Sequence, residues 1–181
     1  MWSAPVVVTP AASEPISLDE AKEFLRVEAD ETAFDTEIGL HIAGARGQVE
    51  AATGTRMFEQ VLELKADSFA DLSHLPVGPV IDVVSVTYVD TAGAEQTIAS
   101  ADYELFGAML EQGIRPVVNG SWPTPIGRAG AVTVQLTVGY GTTQAELPGQ
   151  VVLAMLLQIR ALFDDTTVDI GPWLVNHRIW V

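Results

Sequence analysis

The hydrophobic period of this chain changes twice, and the double change limits its architecture more than any other feature. From Ile16 to Thr53 apolar residues recur every three to four positions. From Met57 to Val138 the apolar runs are short, rich in β-branched and aromatic residues, and broken by turn chemistry. From Pro148 the helical period returns. A parallel sheet would need helices interleaved between its strands, and the middle block has none, so its sheet is antiparallel. The expected fold class is α+β: a helical core of three main helices, a small antiparallel β insertion between the second and third, and extended termini.

The first helix, about 17–27, opens on Ser17-Leu18-Asp19-Glu20, a capping-box pattern, and carries Leu18, Ala21, Phe24 and Leu25 on one face. Asp30 offers the next N-cap for a helix over about 31–53, striped by Phe34, Ile38, Ile42, Ala45, Val49 and Ala52 and closed by Gly54. At 1.5 Å per residue it is about 30 Å long. Glycine weakens a helix, so Gly39, Gly44 and Gly47, with Ala43, Ala45, Ala51 and Ala52, point to close approach by another helix, from this chain or a neighbour. Ile38, Ile42, Ala45 and Val49 are the candidate subunit-packing positions. Pro148 opens the third helix, to 163, whose apolar residues surround it and mark a central element.

Expected strands are Met57–Leu64, Val80–Val89, Glu95–Ile98, Tyr103–Phe106 and Ala131–Val138, with a hairpin loop at Asp90-Thr91-Ala92-Gly93. In the second of these, Val80, Asp82, Val84, Val86 and Tyr88 form one alternating set and Ile81, Val83, Ser85, Thr87 and Val89 the other. The organisation is an extended arm over 1–15, broken by Pro5, Pro10 and Pro15; a main domain over 16–163 with its β insertion at about 56–140; and a tail over 164–181. The tail lacks periodicity yet carries Trp173, Leu174, Arg178, Ile179 and Trp180, and tryptophan and arginine are favoured interface anchors. It is expected to dock.

Composition excludes several functions. With 24 acidic against 9 basic residues, a net charge of −15, the surface repels phosphate backbones, so tight DNA binding is not the main activity. The acidity serves solubility, or a wall that faces nucleic acid without holding it. No cysteine is present, which removes disulfides and thiolate chemistry. Met1 to Pro15 has no Lys or Arg for a signal peptide, and Val151–Phe163, interrupted by Gln158 and Arg160, is too short to span a bilayer. His41, His74 and His177 lie far apart without zinc-ligand spacing. Gly139-Tyr140-Gly141 reads as a turn leaving the sheet, and Asp164-Asp165 as a solvated helix end. No catalytic residue, cofactor or metal ligand is expected.

Taken in order, these stretches resemble the head–tail connector (adaptor) family of long-tailed phages, prophages and gene-transfer particles. They are Ile16-Ser17-Leu18-Asp19-Glu20-Ala21-Lys22-Glu23-Phe24-Leu25-Arg26, the acidic 28–35 segment, and Ala43-Gly44-Ala45-Arg46-Gly47-Gln48-Val49-Glu50-Ala51-Ala52-Thr53-Gly54. Leu75-Pro76, Pro79-Val80, Val83-Val84-Ser85-Val86-Thr87-Tyr88-Val89-Asp90, Gly93, Tyr103-Glu104-Leu105, Trp122-Pro123, Val132-Thr133-Val134, Gly139-Tyr140 and Pro148 continue the pattern. It spans roughly 16–163, and the order and spacing carry it more than any single motif.

The resemblance implies a non-enzymatic subunit of a homo-oligomeric ring, commonly twelve-fold, beneath the portal in the neck of a virion or phage-like particle assembled in the bacterial cytoplasm. The ring would extend the DNA channel and offer a platform to stopper or tail proteins. Helices would be buried between neighbouring subunits, and the β insertion would lie on the outside or lower rim. Trp173, Leu174, Arg178, Ile179 and Trp180 would enter portal crevices. Among Glu20, Glu23, Glu28, Asp30, Glu31 and Asp35 would be the carboxylates facing DNA. Competing readings are another neck or tail ring (a stopper or tail terminator), a metal-dependent hydrolase with clustered carboxylates, and a monomeric binding module.

Overall fold

The computed structural model describes residues 1–180. In chain order the elements are β1 (Val6–Thr9), α1 (Leu18–Leu25), α2 (Asp35–Thr53), β2 (Gln60–Ala66), β3 (Val80–Val89), β4 (Glu95–Ile98), β5 (Tyr103–Ala108), β6 (Glu111–Pro116), β7 (Val132–Val138), α3 (Gly149–Phe163) and α4 (Gly171–Leu174). They fall into two compact units. A sheet unit comprises Met1–Pro10 and Glu59–Gly139 with Ile179 and Trp180, and a helical unit comprises Ala11–Phe58 and Tyr140–Arg178.

In the sheet unit, β7 shows why the period-two pattern yields a sheet with one buried face. Val132, Val134, Leu136 and Val138 are buried, while Thr133, Gln135 and Thr137 turn to the other face. Their antiparallel partners on β2 are Ala66, Leu64, Leu62 and Gln60, and on β3 Val134 faces Val86 and Val138 faces Val80. The five strands run in the order β1-β2-β7-β3-β4. The separate β5–β6 hairpin contributes Tyr103 and Ile114 to the same core, and a 3₁₀ turn at Phe69–Ser73 adds Phe69 and Leu72. Trp122 stacks on Phe69 with ring centroids 4.7 Å apart. Each aliphatic side chain fully buried here stabilises by about 1.5–3 kcal/mol.

For the sheet, two expectations need correction. The fold is α+β, 33% helical and 28% strand, but the sheet is no small insertion: it has five strands beside a two-stranded hairpin and recruits β1 from the N-terminal arm. Alternation in β3 also breaks. Its register shifts at Ile81 and at Val84, two bulges that leave both aliphatic side chains half-exposed and bring Val80, Val83 and Val86 opposite core residues of β7. Each extra residue reverses which side of the strand the following residues face.

The helical unit packs α1, α2 and α3 around Ala21, Ile38, Ile42, Ala45, Val49, Val151, Ala154, Met155 and Ile159. Ser17 caps α1 by accepting the Glu20 amide at 3.2 Å. The reciprocal half of the box is absent, because the Glu20 carboxylate accepts the Gln144 side-chain amide at 2.6 Å. Gly54, at φ 73°, ends α2 as expected. The start of α2 differs: it begins at Asp35, with Phe34 in place of Asp30 at the cap. There is also a fourth helix, the single turn α4 in the tail, so the expected count of three main helices falls one short.

Candidate docking segment and acidic loop

The tail leaves α3 through Asp164 and Asp165, the latter in a left-handed conformation at φ 52°, and returns to the helical unit as α4 with Pro172 in its first turn. There Leu174 is 1% exposed and belongs to the helical core, while Trp173 is 42% exposed and Val175 is exposed beside it. His177 Nε2 lies 2.9 Å from Gln150 Oε1, in the first turn of α3. Arg178 Nε donates to the Ala52 carbonyl in the last turn of α2 at 2.7 Å. That turn has no basic residue of its own, so Arg178 supplies the donor and positive charge that a helix C-terminus favours.

Within the sheet unit, the Ile179 side chain covers Gly78, where an added methyl group would come 3.4 Å from Cδ1. His74 Nε2 is 3.0 Å from the Trp180 carbonyl oxygen, and Trp180 is 69% exposed. The five tail residues named from sequence therefore sort themselves. Leu174 turns inward, Arg178 bonds to α2, Ile179 covers Gly78, and Trp173 and Trp180 are partly exposed. On α2, Ile38, Ile42, Ala45 and Val49 all lie in the chain's own helical core. Leu40 is exposed, and nothing stands within 4 Å of a methyl group added at Gly39 or Gly47.

The acidic segment is organised by a residue that sequence reading passed over. Lys22, 3% exposed, reaches from α1 into the 27–35 loop. Its ammonium lies 2.5 Å from Asp35 Oδ1, 2.7 Å from the Glu31 carbonyl and 3.4 Å from the Ala29 carbonyl. This clamp holds residues 29–31 out of helix and explains why α2 starts at Asp35. Of the six candidate channel carboxylates, Asp35 is thus paired and Glu20 is bonded to Gln144, leaving Glu23, Glu28, Asp30 and Glu31 exposed. A sign was present in the sequence: Lys22 and Arg26 are the only cations among nine acidic residues between positions 14 and 37. Arg160, on α3, lies over the Phe24 ring at 4.3 Å and donates to the Phe24 carbonyl.

The Thr142-Thr143 stretch that follows Gly141 holds a carboxylate of its own. Glu146 Oε2 accepts the amides of Thr142 and Thr143 at 2.9 and 2.8 Å and the Thr143 hydroxyl at 2.9 Å. A methyl group at Gly141 would stand 2.3 Å from that carboxylate. The Thr143 amide, then its hydroxyl, then the Thr142 amide hold the Glu146 carboxyl below its ordinary value of 4.5. A lowered folded-state pKa stabilises above the ordinary value and is lost as pH falls through the lowered one. Glu146→Gln is accordingly expected to lower stability at neutral pH and to flatten the decline on acidification below about 4.5. Denaturant titrations at pH 7 and pH 3 check this; an unchanged acid limb would contradict it.

Among the described residues, no group of three His, Asp or Glu side chains could hold a metal ion, and no helix is long and apolar enough to cross a membrane.

The chain matches no protein-family model and no curated protein. Solved structures do match. A chain in the neck of an empty gene-transfer-agent (GTA) particle, computed with C6 symmetry, superposes with a TM-score of 0.82 at 21% identity, covering 99% of this chain and 97% of that one. The fold is shared with GTA-particle chains. A chain in the virion of a native GTA particle gives 0.80 at 22% identity, and one in the neck of a native GTA particle computed with C12 symmetry gives 0.72 at 20%, both with the same coverage. The likeness takes in both units almost end to end.

Proposed function

We propose that this chain is a structural neck subunit of a phage-like or GTA-like particle, a head–tail adaptor that forms a ring under the portal. The observation that carries the reading is the near end-to-end fold match to neck chains, at TM-scores of 0.82 and 0.72. The C12 symmetry of one of those neck structures supports a ring of about twelve copies. The helical unit also favours an adaptor over a stopper or tail terminator, rings expected to be dominated by β structure.

In this reading the ring extends the DNA channel and offers a platform to stopper or tail proteins. Exposed carboxylates at Glu23, Glu28, Asp30 and Glu31 are candidates for a wall that lets DNA pass without specific binding, since positive walls would trap it. The α2 face opposite Ile38, Ile42, Ala45 and Val49 is the candidate contact with a neighbouring subunit. The tail, through Trp173, Leu174, Arg178, Ile179 and Trp180, is the candidate portal-docking segment. No enzymatic activity is assigned.

Mixing the purified chain with its portal ring tests this. A stoichiometric complex formed by the full chain, and lost on deleting residues 166–181, is the expected result. Binding that persists after the deletion would remove the tail assignment, and no association by the full chain would remove the adaptor assignment.

A further inference from the structure

The chain has only two asparagines, and the residues after them differ: Asn119 precedes Gly120, and Asn176 precedes His177. The backbone nitrogen that follows an asparagine can attack its side-chain carbonyl carbon, because the two close a five-membered ring. A side chain on the following residue obstructs that approach, and glycine has none. The fold presents the reactive pair in an open turn. The Val117 carbonyl accepts the Gly120 amide at 2.8 Å, closing residues 117–120 just after β6. Asn119 is the third residue of this turn, at φ 66°, a left-handed conformation that asparagine tolerates better than most side chains. Val118 is 85% exposed, and Asn119 and Gly120 are exposed beside it. A methyl group at Gly120 would stand 3.0 Å from the Val117 oxygen, so a larger residue would press on the carbonyl that closes the turn. The turn thus favours both members of the pair.

We propose that Asn119 is a site of spontaneous modification and that the turn sets its pace. The Gly120 nitrogen bonds to Asn119 Cγ as the Cγ–Nδ2 bond breaks. The Gly120 amide proton passes through solvent to the departing nitrogen, which leaves as ammonia. Water then opens the cyclic imide at one of its two carbonyls. One opening leaves aspartate; the other leaves isoaspartate, with the backbone running through Cγ. Nothing is oxidised or reduced, and water is the only co-reactant. In the closed turn the Gly120 N–H is held by Val117, so reaction proceeds from local openings. Either product adds a negative charge beside the end of β6. Aspartate can keep the left-handed turn, whereas isoaspartate lengthens the backbone by one carbon and breaks the bond between Val117 and Gly120.

The chemistry needs no partner, so it does not depend on the adaptor reading. Incubating the full chain at mildly alkaline pH, folded and in denaturant, and mapping its peptides by mass tests it. In the folded chain, position 119 is expected to convert, with isoaspartate in excess of aspartate and Asn176 unchanged. Conversion in denaturant is expected to be several-fold faster. Asn119→Gln, which would have to close a six-membered ring, is expected to stay unconverted and to release correspondingly less ammonia. A folded chain that keeps Asn119 intact while the denatured chain converts would overturn the site. Equal rates in the folded and denatured chain would overturn control by the turn.

Discussion

Gly113→Ala is expected to destabilise the sheet unit by about 3 kcal/mol, the upper part of the range for overpacking a filled core. The new methyl group would stand 2.3 Å from the Ser73 carbonyl oxygen, 2.7 Å from its carbon and 2.8 Å from Phe106 Cε1. Two of those atoms are backbone and cannot rotate away. The strand cannot slide either: Gly113 pairs with Phe106 across the β5–β6 hairpin, and the Gln112 carbonyl accepts the Leu75 amide at 2.9 Å. For a chain of this length the cost corresponds to a fall in Tm of roughly 6–12 °C. Gly127→Ala, where nothing lies within 4 Å, is the control and should leave Tm unchanged. Equal melting of the two variants would contradict the packing described for β6 against the 3₁₀ turn.

Lys22→Ala should have the second largest effect, and in the helical unit. Truncating one partner of a buried ion pair costs about 3–5 kcal/mol because the other group is left uncompensated. Asp35 is 32% exposed and regains water, which reduces the expected loss to about 2–3 kcal/mol. Two backbone carbonyls, of Ala29 and Glu31, lose their donor as well. The change should therefore appear as faster hydrogen exchange across 27–35 beyond any general loss of stability. Lys22→Met keeps the apolar stem and separates lost packing from lost charge. If Lys22→Ala melted like the wild type with an unaltered loop, the ammonium would not be organising the acidic segment.

Much of the architecture was legible where one physical signal acts alone. Ser17 as a cap, Gly54 as a terminator and the alternation of Val132, Val134, Leu136 and Val138 follow from local rules, and all three appear in the structure. Legibility failed where a distant partner decides. The bulges at Ile81 and Val84 depend on the register with β7, and no local feature of a β-branched run marks where a residue is to be skipped. β1 was taken only for part of an extended arm, because four residues between prolines show no sheet pattern until β2 lies beside them.

The candidate site divides in the same way. Tail composition picked out candidate docking residues, but inward and outward faces of a single helical turn cannot be read without its neighbours. Leu174 and Trp173 are adjacent in sequence and opposite in environment. Lys22 stood out in sequence only as one of two cations in an acidic stretch; the loop folding back over it is what buries its ammonium. Nor did spacing show that Thr142 and Thr143, just after the Gly139-Tyr140-Gly141 turn, close on Glu146.

Native mass spectrometry of the purified chain, alone and with its portal ring, tests the central claim most directly. The account predicts a closed assembly on the portal with about twelve copies of the chain, matching the C12 symmetry of a neck structure that shares its fold. A chain that stays monomeric in the presence of the portal, with no mass added to the ring, would contradict it.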